Sequence, residues 1–166
     1  SVSYGQISAT ELLLAAADEM GGVYLLNNDT VQNIDITGTQ VAFSPHFDVL
    51  AVGGDQTVTR LDSSTLQVLN EIALYGRTSC IAFSPDGSLI AVGTAGGFLA
   101  EDSSNALYST NNVSASVAIL DAKAGQLLSQ RIAHDGTVTA IAWSPDSTTV
   151  ITASQDATLG LRGSRW

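Results

Sequence analysis

The sequence predicts an all-β fold made of repeated antiparallel sheets, and three observations lead to this prediction. Residues 81–94 contain two apolar stretches around the turn Ser-Pro-Asp-Gly at 84–87, in which proline fixes φ and glycine accepts a positive φ. The same arrangement starts forty residues earlier, at Val41, and returns sixty residues later, at Ile141. A period near forty residues, built from short strands and turns, is typical of the blades of a β-propeller.

Each repeat begins with a short strand that carries an aromatic residue just before its Ser-Pro turn. These aromatic residues are Phe43, Phe83 and Trp143. Apolar residues alternate with small residues along the strands, which is the periodicity of a half-buried strand. We therefore expect the three aromatic side chains to form the blade core, at equivalent buried positions on the first strands of successive blades.

The repeats predict about four blades of four antiparallel strands, at about 1–36, 38–73, 78–132 and 137–166. In the first blade, residues 12–17 have the local propensity of a strand or of the start of a helix, and the repeat pattern favours the strand. Only three strands are predicted in the last blade.

The second interval between repeats exceeds the first by twenty residues, which places an insertion at about 95–115. Its glycine, serine and asparagine content favours a loop, and long loops inside compact domains are often functional. Its apolar residues could pack the loop against the fold, or they could extend two strands into a hairpin. The candidate partner-binding residues are Phe98, Leu99, Glu101, Asp102 and Tyr108.

Composition excludes several functional classes. The chain has 166 residues, 45% of them hydrophobic, so it can bury a sizeable core. Its net charge of -10 argues against nucleic acid or an anionic membrane as the main partner. Cys80 is the single cysteine, and two histidines far apart in sequence give no zinc spacing, so no cofactor or metal is expected. No apolar run approaches the roughly 20 residues of a membrane span, and no signal peptide pattern is present, so a cytoplasmic location is expected.

The repeats resemble those of the WD-repeat family of β-propellers. His134, in the sequence Ala-His-Asp, stands where that family places its Gly-His dipeptide, and residues 141–145 match its first strand and Ser-Pro turn. Within the family, the segments 21–26, 41–45 and 142–147 look most like the actin-interacting group that assists cofilin in disassembling filaments. The resemblance implies a noncatalytic protein-interaction scaffold with actin and cofilin as candidate partners.

The resemblance also implies a structural hydrogen-bond network in the last blade. Its members would be His134, Ser154 (or Thr152) and Asp156. Arg162 occupies the position of the family's tryptophan, so the sequence departs from the family pattern there. A structural role for His134 is favoured over that of a catalytic base or a metal ligand.

Propellers of this family usually close with seven or eight blades, so four blades would form an open arc. The ring would be completed by further blades of the same longer protein, by another chain or by a second copy. In each blade the loops after the second and fourth strands emerge on one face, often the partner-binding face in the family. The insertion and His134 are therefore expected on that face.

The sequence is also compatible with two other functional classes. A propeller can serve as the scaffold of a hydrolase with a metal in its central channel, although no ligand constellation in the sequence supports this. A purely structural segment of a large assembly has the same sequence features as an interaction scaffold. No enzymatic activity is expected.

Overall fold

The computed structural model describes residues 1–6, 12–27, 30–45, 49–95 and 114–163. Regular structure in these ranges consists of β-strands, which form three four-stranded sheets and one three-stranded sheet, all antiparallel. In these same ranges no helix is long and apolar enough to cross a membrane. The predicted fold class, an all-β fold of four-stranded antiparallel sheets, is confirmed.

The first two sheets keep their strands in chain order, so each strand pairs with the one that follows it. The first sheet comprises β1 (Val2–Gln6), β2 (Leu12–Ala17), β3 (Gly22–Asn27) and β4 (Thr30–Thr37). The second sheet comprises β5 (Gln40–Phe43), β6 (Val49–Gly53), β7 (Thr57–Asp62) and β8 (Val68–Ala73). Residues 12–17 thus form a strand, as the repeat pattern predicts.

The third and fourth sheets continue the same order. The third sheet comprises β9 (Thr78–Phe83), β10 (Leu89–Thr94), β11 (Ala115–Asp121) and β12 (Gln126–His134). The fourth sheet comprises β13 (Val138–Trp143), β14 (Thr149–Ser154) and β15 (Leu159–Gly163). The predicted insertion lies in sequence between β10 and β11, and residues 96–113 are outside the described ranges.

Adjacent sheets pack face to face through apolar side chains. The core between the first and second sheets contains Val23, Leu25, Leu50 and Leu61. The second sheet uses its other face to pack on the third, and the third then packs on the fourth through Ile119 and Val150, among others. The sheets therefore follow one another in a series, in which each middle sheet is covered on both faces.

The three aromatic residues occupy equivalent positions but are half-buried rather than fully buried. Phe43, Phe83 and Trp143 each end the first strand of a sheet and each pack against a core cluster. Because they lie at the strand end beside the turn, one edge of each ring is left outside the interface. By register, Tyr4 takes the same position in the first sheet, where it pairs with Leu14 as Trp143 pairs with Val150.

A buried arginine joins the second sheet to the third. Arg60 is 5% exposed, and its Nη1 donates to Asn70 Oδ1 at 2.6 Å while its Nη2 donates to Lys123 O at 3.3 Å. Asn70 Nδ2 donates in turn to Gly125 O at 2.7 Å. Removal from water lowers the pKa of Arg60, and the nearby charge of Asp121 opposes this effect.

Two of the Ser-Pro turns, at 84–87 and 144–147, are held by aspartate side chains. Asp86 Oδ1 accepts hydrogen bonds from Ser84 Oγ at 2.6 Å and from the Ser88 amide at 3.0 Å. Asp146 Oδ1 accepts the corresponding bonds from Ser144 Oγ and the Thr148 amide. These bonds, first of all that from Ser84, lower the pKa of Asp86 to about 2.

Acid is therefore expected to destabilise the fold as the pH falls from about 4 to about 2. Asp86 has a folded-state pKa of about 2, whereas its ordinary pKa is 3.8. Its contribution to the stability of the fold is therefore present above pH 3.8 and is lost as the pH falls through the folded-state pKa. The measurement is the urea midpoint of unfolding between pH 5 and pH 2. The Asp86→Asn variant should lose less stability between pH 5 and pH 2 than the wild type. If its urea midpoint falls with pH in parallel to that of the wild type, the acid sensitivity does not come from Asp86.

Candidate functional site

The loops that follow the second and fourth strands leave the sheets at one end, here called the loop face. In the third sheet, β10 ends at Thr94, which pairs with Thr78 at the start of β9. At the same end, Ala115 begins β11 and pairs with His134, the last residue of β12. The base of the insertion and His134 thus lie at one end of one sheet.

Buried polar groups hold the base of the insertion. The Ser116 amide donates to Thr94 Oγ1 at 2.9 Å, and the two hydroxyl oxygens are 3.0 Å apart. Ser116 Oγ also donates to Tyr75 O at 3.2 Å. These bonds tie the ends of the insertion to the neighbouring loop that contains Tyr75.

One glutamine side chain holds the main chain of that loop. Gln130 Nε2 donates to Tyr75 O at 2.8 Å and to Ser116 Oγ at 2.7 Å, and Gln130 Oε1 accepts from the Tyr75 amide at 3.0 Å. The Tyr75 side chain remains 62% exposed. The five candidate residues of the insertion, Phe98, Leu99, Glu101, Asp102 and Tyr108, lie outside the described residues.

The loop face combines exposed apolar side chains with charges of both signs. Met20 is 93% exposed in the turn between β2 and β3, and Ile132 is 69% exposed near the end of β12. A depression of about 550 Å³ is lined by Asp18, Glu19 and Arg77, among others. A second depression, of about 310 Å³, shares Glu19 and Arg77 and adds Met20 and Asp55.

The turn that carries Met20 is held by Asp18. Asp18 Oδ1 accepts from the Gly22 amide at 2.8 Å, and Oδ2 accepts from the Tyr24 hydroxyl at 3.3 Å. The bond from Gly22 is the main reason that the pKa of Asp18 is lowered, so this carboxylate stays charged. Met20 is therefore presented on a fixed turn.

His134 joins the fourth strand of the third sheet to the fourth sheet. The residue is 4% exposed, and its Nε2 lies 2.7 Å from Thr152 Oγ1. Its Nδ1 lies 2.9 Å from Thr158 Oγ1 and 3.2 Å from Asp156 Oδ2. Asp156 also accepts from the Asp135 amide, and its bond from the Thr158 hydroxyl is the main cause of its lowered pKa.

Ser154 is not placed against His134. Ser154 Oγ donates to Gly136 O at 2.9 Å and accepts from the Asp156 amide at 3.1 Å. Thr152 makes the contact with the imidazole instead, because it lies buried within β14, whereas Ser154 is the last residue of that strand and bonds to Gly136 and to its own turn. Of the two alternatives, Ser154 and Thr152, the structure brings Thr152 to the histidine, together with the predicted Asp156. Thr158 is a further partner that the sequence did not indicate.

The same position is apolar one sheet earlier. Leu74 and Val92 share one core cluster. Leu74 lies nine residues before Phe83, as His134 lies nine residues before Trp143, and Val92 pairs with Ile81 as Thr152 pairs with Ile141. Alignment of the repeats residue by residue is the sequence signal that would have identified Thr152.

Removal of either member of the His134–Thr152 pair is expected to cost about 1–3 kcal/mol, because the remaining buried polar atom loses its partner. His134→Leu combined with Thr152→Val recreates the contact between Leu74, which follows β8, and Val92 in β10. The double variant should therefore lose less stability than the two single variants together. Urea unfolding of the four proteins measures this coupling. Strictly additive losses would show that the two side chains do not act as a pair.

The described residues contain no group of three or more His, Cys, Asp and Glu side chains that could hold a metal ion. Cys80 is half-buried on β9, and its Sγ lies 3.7 Å from Val138 O. Burial raises the pKa of the Cys80 thiol, which disfavours the reactive thiolate. The polar clusters that the structure describes thus hold loops and sheets together.

Comparison with protein families agrees with this geometry. The WD40 family, described as WD domain, G-beta repeat, matches residues 73–100 and 125–161. Two segments of the chain thus match the WD40 repeat. The second matched segment includes the His134 cluster, and the first includes the turn at 84–87.

Curated proteins with similar sequences are WD-repeat proteins. WD repeat-containing protein 1 of Bos taurus is 27% identical over 151 residues, which cover 85% of this chain and 22% of the relative. WD repeat-containing protein 1 of Mus musculus is 36% identical over 83 residues, 48% of this chain and 11% of the relative. The chain therefore spans less than a quarter of the length of these relatives.

A solved structure shows the same fold. A chain of Kuenenia stuttgartiensis hydrazine synthase superposes with a TM-score of 0.69 at 16% sequence identity, covering 91% of this chain and 40% of that chain. At this identity the likeness concerns the fold alone.

Proposed function

We propose that the WD40 repeats of this chain form a noncatalytic scaffold that binds protein partners through the loop face. The observation that supports this most directly is the group Met20, Tyr75 and Ile132, exposed by 93%, 62% and 69% on that face. Large apolar side chains rimmed by charge are typical of protein-interaction sites. The described ends of the insertion, Thr94 and Ser116, lie beside Tyr75.

Actin, together with cofilin, is the partner that we propose for this surface. The support comes from the resemblance of segments 21–26, 41–45 and 142–147 to the actin-interacting group, and from the similarity to WD repeat-containing protein 1. The net charge of -10 favours a partner surface with basic residues. This role would place the protein in the cytoplasm.

Co-sedimentation with actin filaments, with and without cofilin, tests the proposal. We expect the chain to pellet with filaments and to accelerate their disassembly by cofilin. Tyr75→Ala and Glu19→Lys should weaken binding at least tenfold, as expected for central interface residues and for loss of an acidic group that faces a basic partner. Leu69→Ala is a matched control, because Leu69 is 48% exposed on β8, away from the loop face.

Two results would contradict this proposal. Absence of binding by the wild type would exclude actin as a partner and would favour a structural segment of a larger assembly. If Leu69→Ala weakens binding as much as the other two substitutions, the binding surface does not lie on the loop face.

A further inference from the structure

One depression of the loop face, here called the Met20 depression, lies where loops of successive sheets meet. It is formed by the turn between β2 and β3, the loop between β4 and β5, the turn between β6 and β7 and the loop between β8 and β9. Its side chains include those of Met20, Glu19, Asp55 and Arg77, all of them exposed. A partner that covers the loop face therefore meets an apolar side chain and charges of both signs in one place.

The floor of the Met20 depression is made of main chain rather than of side chains. It includes Gly21, Gly38 and Gly54. The Gly38 amide donates to Gly21 O at 3.0 Å, and this bond joins the loop between β4 and β5 to the preceding turn of the first sheet. The Thr39 amide donates to Gly53 O at 2.9 Å, which joins the same loop to the second sheet. A floor that is already held in this way is not ordered at the expense of binding energy.

The charged side chains of the depression are available to a ligand. Among the residues that the structure describes, no ion pair includes Glu19, Asp55 or Arg77. Asp18, beside Glu19 in the same turn, adds a third carboxylate, and its pKa is lowered mainly by the bond from the Gly22 amide. Three carboxylates and one guanidinium give this part of the loop face a net negative charge, which attracts a cation.

The shape and chemistry of the depression fit an arginine side chain. A guanidinium group is planar and has five N–H donors, so it can bond to carboxylates of two loops at once, such as those of Glu19 and Asp55. Its methylene stem would pack on the flexible thioether of Met20. The volume of about 310 Å³ lies at the lower end of the range of about 300–1,000 Å³ for ligand pockets, which suits a single side chain.

We propose that the Met20 depression binds an arginine side chain of the protein partner. The inference rests on the proposed function, because it takes the loop face as the binding surface, and it names the group that the partner inserts there. Arg77 restricts the choice of partner, since its positive charge repels a second cation placed beside the first. A partner with a single arginine is therefore favoured over a polybasic segment.

Nuclear magnetic resonance titration of the 166-residue chain with N-acetylargininamide tests the site. We expect saturable shifts of the amide signals of Gly21, Gly38 and Gly54, the glycines of the floor. N-acetylcitrullinamide has nearly the same shape without the charge, and it should cause no such shifts at the same concentration. Equal shifts from the two compounds would overturn the proposal. Equal shifts from N-acetylargininamide at the acidic turns of Asp86 and Asp146 would also overturn it.

Substitutions of the charged side chains should change the affinity in opposite directions. Glu19→Gln and Asp55→Asn should each weaken binding of N-acetylargininamide about threefold, as expected for exposed ion pairs. Arg77→Gln should strengthen binding about twofold, because it removes a repulsive charge. Glu71→Gln is the matched control, since Glu71 is an exposed carboxylate on β8 that does not line the depression. Equal weakening by Glu71→Gln, or no weakening by Glu19→Gln and Asp55→Asn, would overturn the proposal.

Comparison with filament binding separates this inference from the proposed partner. If the chain binds N-acetylargininamide in the Met20 depression but does not bind actin filaments, the arginine site is supported and the proposed partner is wrong. If the chain binds filaments and Tyr75→Ala weakens that binding, the loop face is the binding surface. The arginine site is nevertheless overturned if Glu19→Gln then leaves the affinities for filaments and for N-acetylargininamide unchanged.

Discussion

Replacing Trp143 by alanine is expected to lower the free energy of unfolding by about 3–5 kcal/mol, as for large-to-small changes in a core. Trp143 packs against the cluster that joins the third and fourth sheets. Its Nε1 also donates to Ala82 O of the third sheet at 3.1 Å, so the side chain links the two sheets by packing and by a hydrogen bond. Because the ring is half-buried, the loss should fall toward the lower end of this range.

Urea unfolding followed by circular dichroism measures this loss. Trp143→Phe is the matched control, because it keeps an aromatic ring, as in Phe43 and Phe83, but removes the N–H donor. Its expected cost is about 1 kcal/mol for the hydrogen bond, in addition to a small loss of volume. An unchanged unfolding midpoint in Trp143→Ala would contradict the assignment of this residue to the interface between the sheets.

Gly93→Val is expected to destabilise the fold by about 3 kcal/mol, the upper part of the range for overpacking. A Cβ atom on Gly93 would lie 2.6 Å from Cys80 Sγ and 2.7 Å from Val138 Cγ1. Cys80 belongs to the neighbouring strand of the same sheet, and Val138 belongs to the next sheet. A side chain at this position must therefore push the third and fourth sheets apart.

Two further variants make this prediction specific. Gly163→Ala should change stability by less than about 0.5 kcal/mol, because its Cβ would meet only Thr148 O at 3.9 Å. Val138→Ala should cost less stability when it is added to the Gly93→Ala variant than when it is made in the wild type. The reason is that it removes atoms from the space that the new methyl group at position 93 needs. Equal effects of Gly93→Val and Gly163→Ala would show that the sheets do not approach closely at Gly93.

The repeated Ser-Pro turns were sufficient to predict the fold class from the sequence. The turns at 84–87 and 144–147 combine proline, aspartate and small polar residues, whose local hydrogen bonds to Asp86 and Asp146 form without help from distant parts of the chain. Local determinants of this kind can be recognised in a single sequence. The fold class followed from their spacing.

The details that depend on contacts between sheets could not be predicted in the same way. Tyr4 lies at the aromatic position of the first sheet, but no Ser-Pro turn follows it to identify that position. The choice between Thr152 and Ser154 as partner of His134 depended on how far along β14 the imidazole lies, because residues two apart lie on the same side of a strand. The cluster of Arg60 and Asn70 joins residues of the second sheet to a turn of the third, which no local pattern indicates.

The serial packing of the four sheets has a consequence for how the chain loses its structure. When each unit contacts only its neighbours, stability is approximately the sum of the contributions of single units and of the contacts between them. The second and third sheets have two such contacts and the bridge of Arg60 between them, whereas the first and fourth have one each in the isolated chain. Fraying should therefore begin at the two ends of the series, and the amide hydrogens of β6 and β10 should be the last to exchange with solvent.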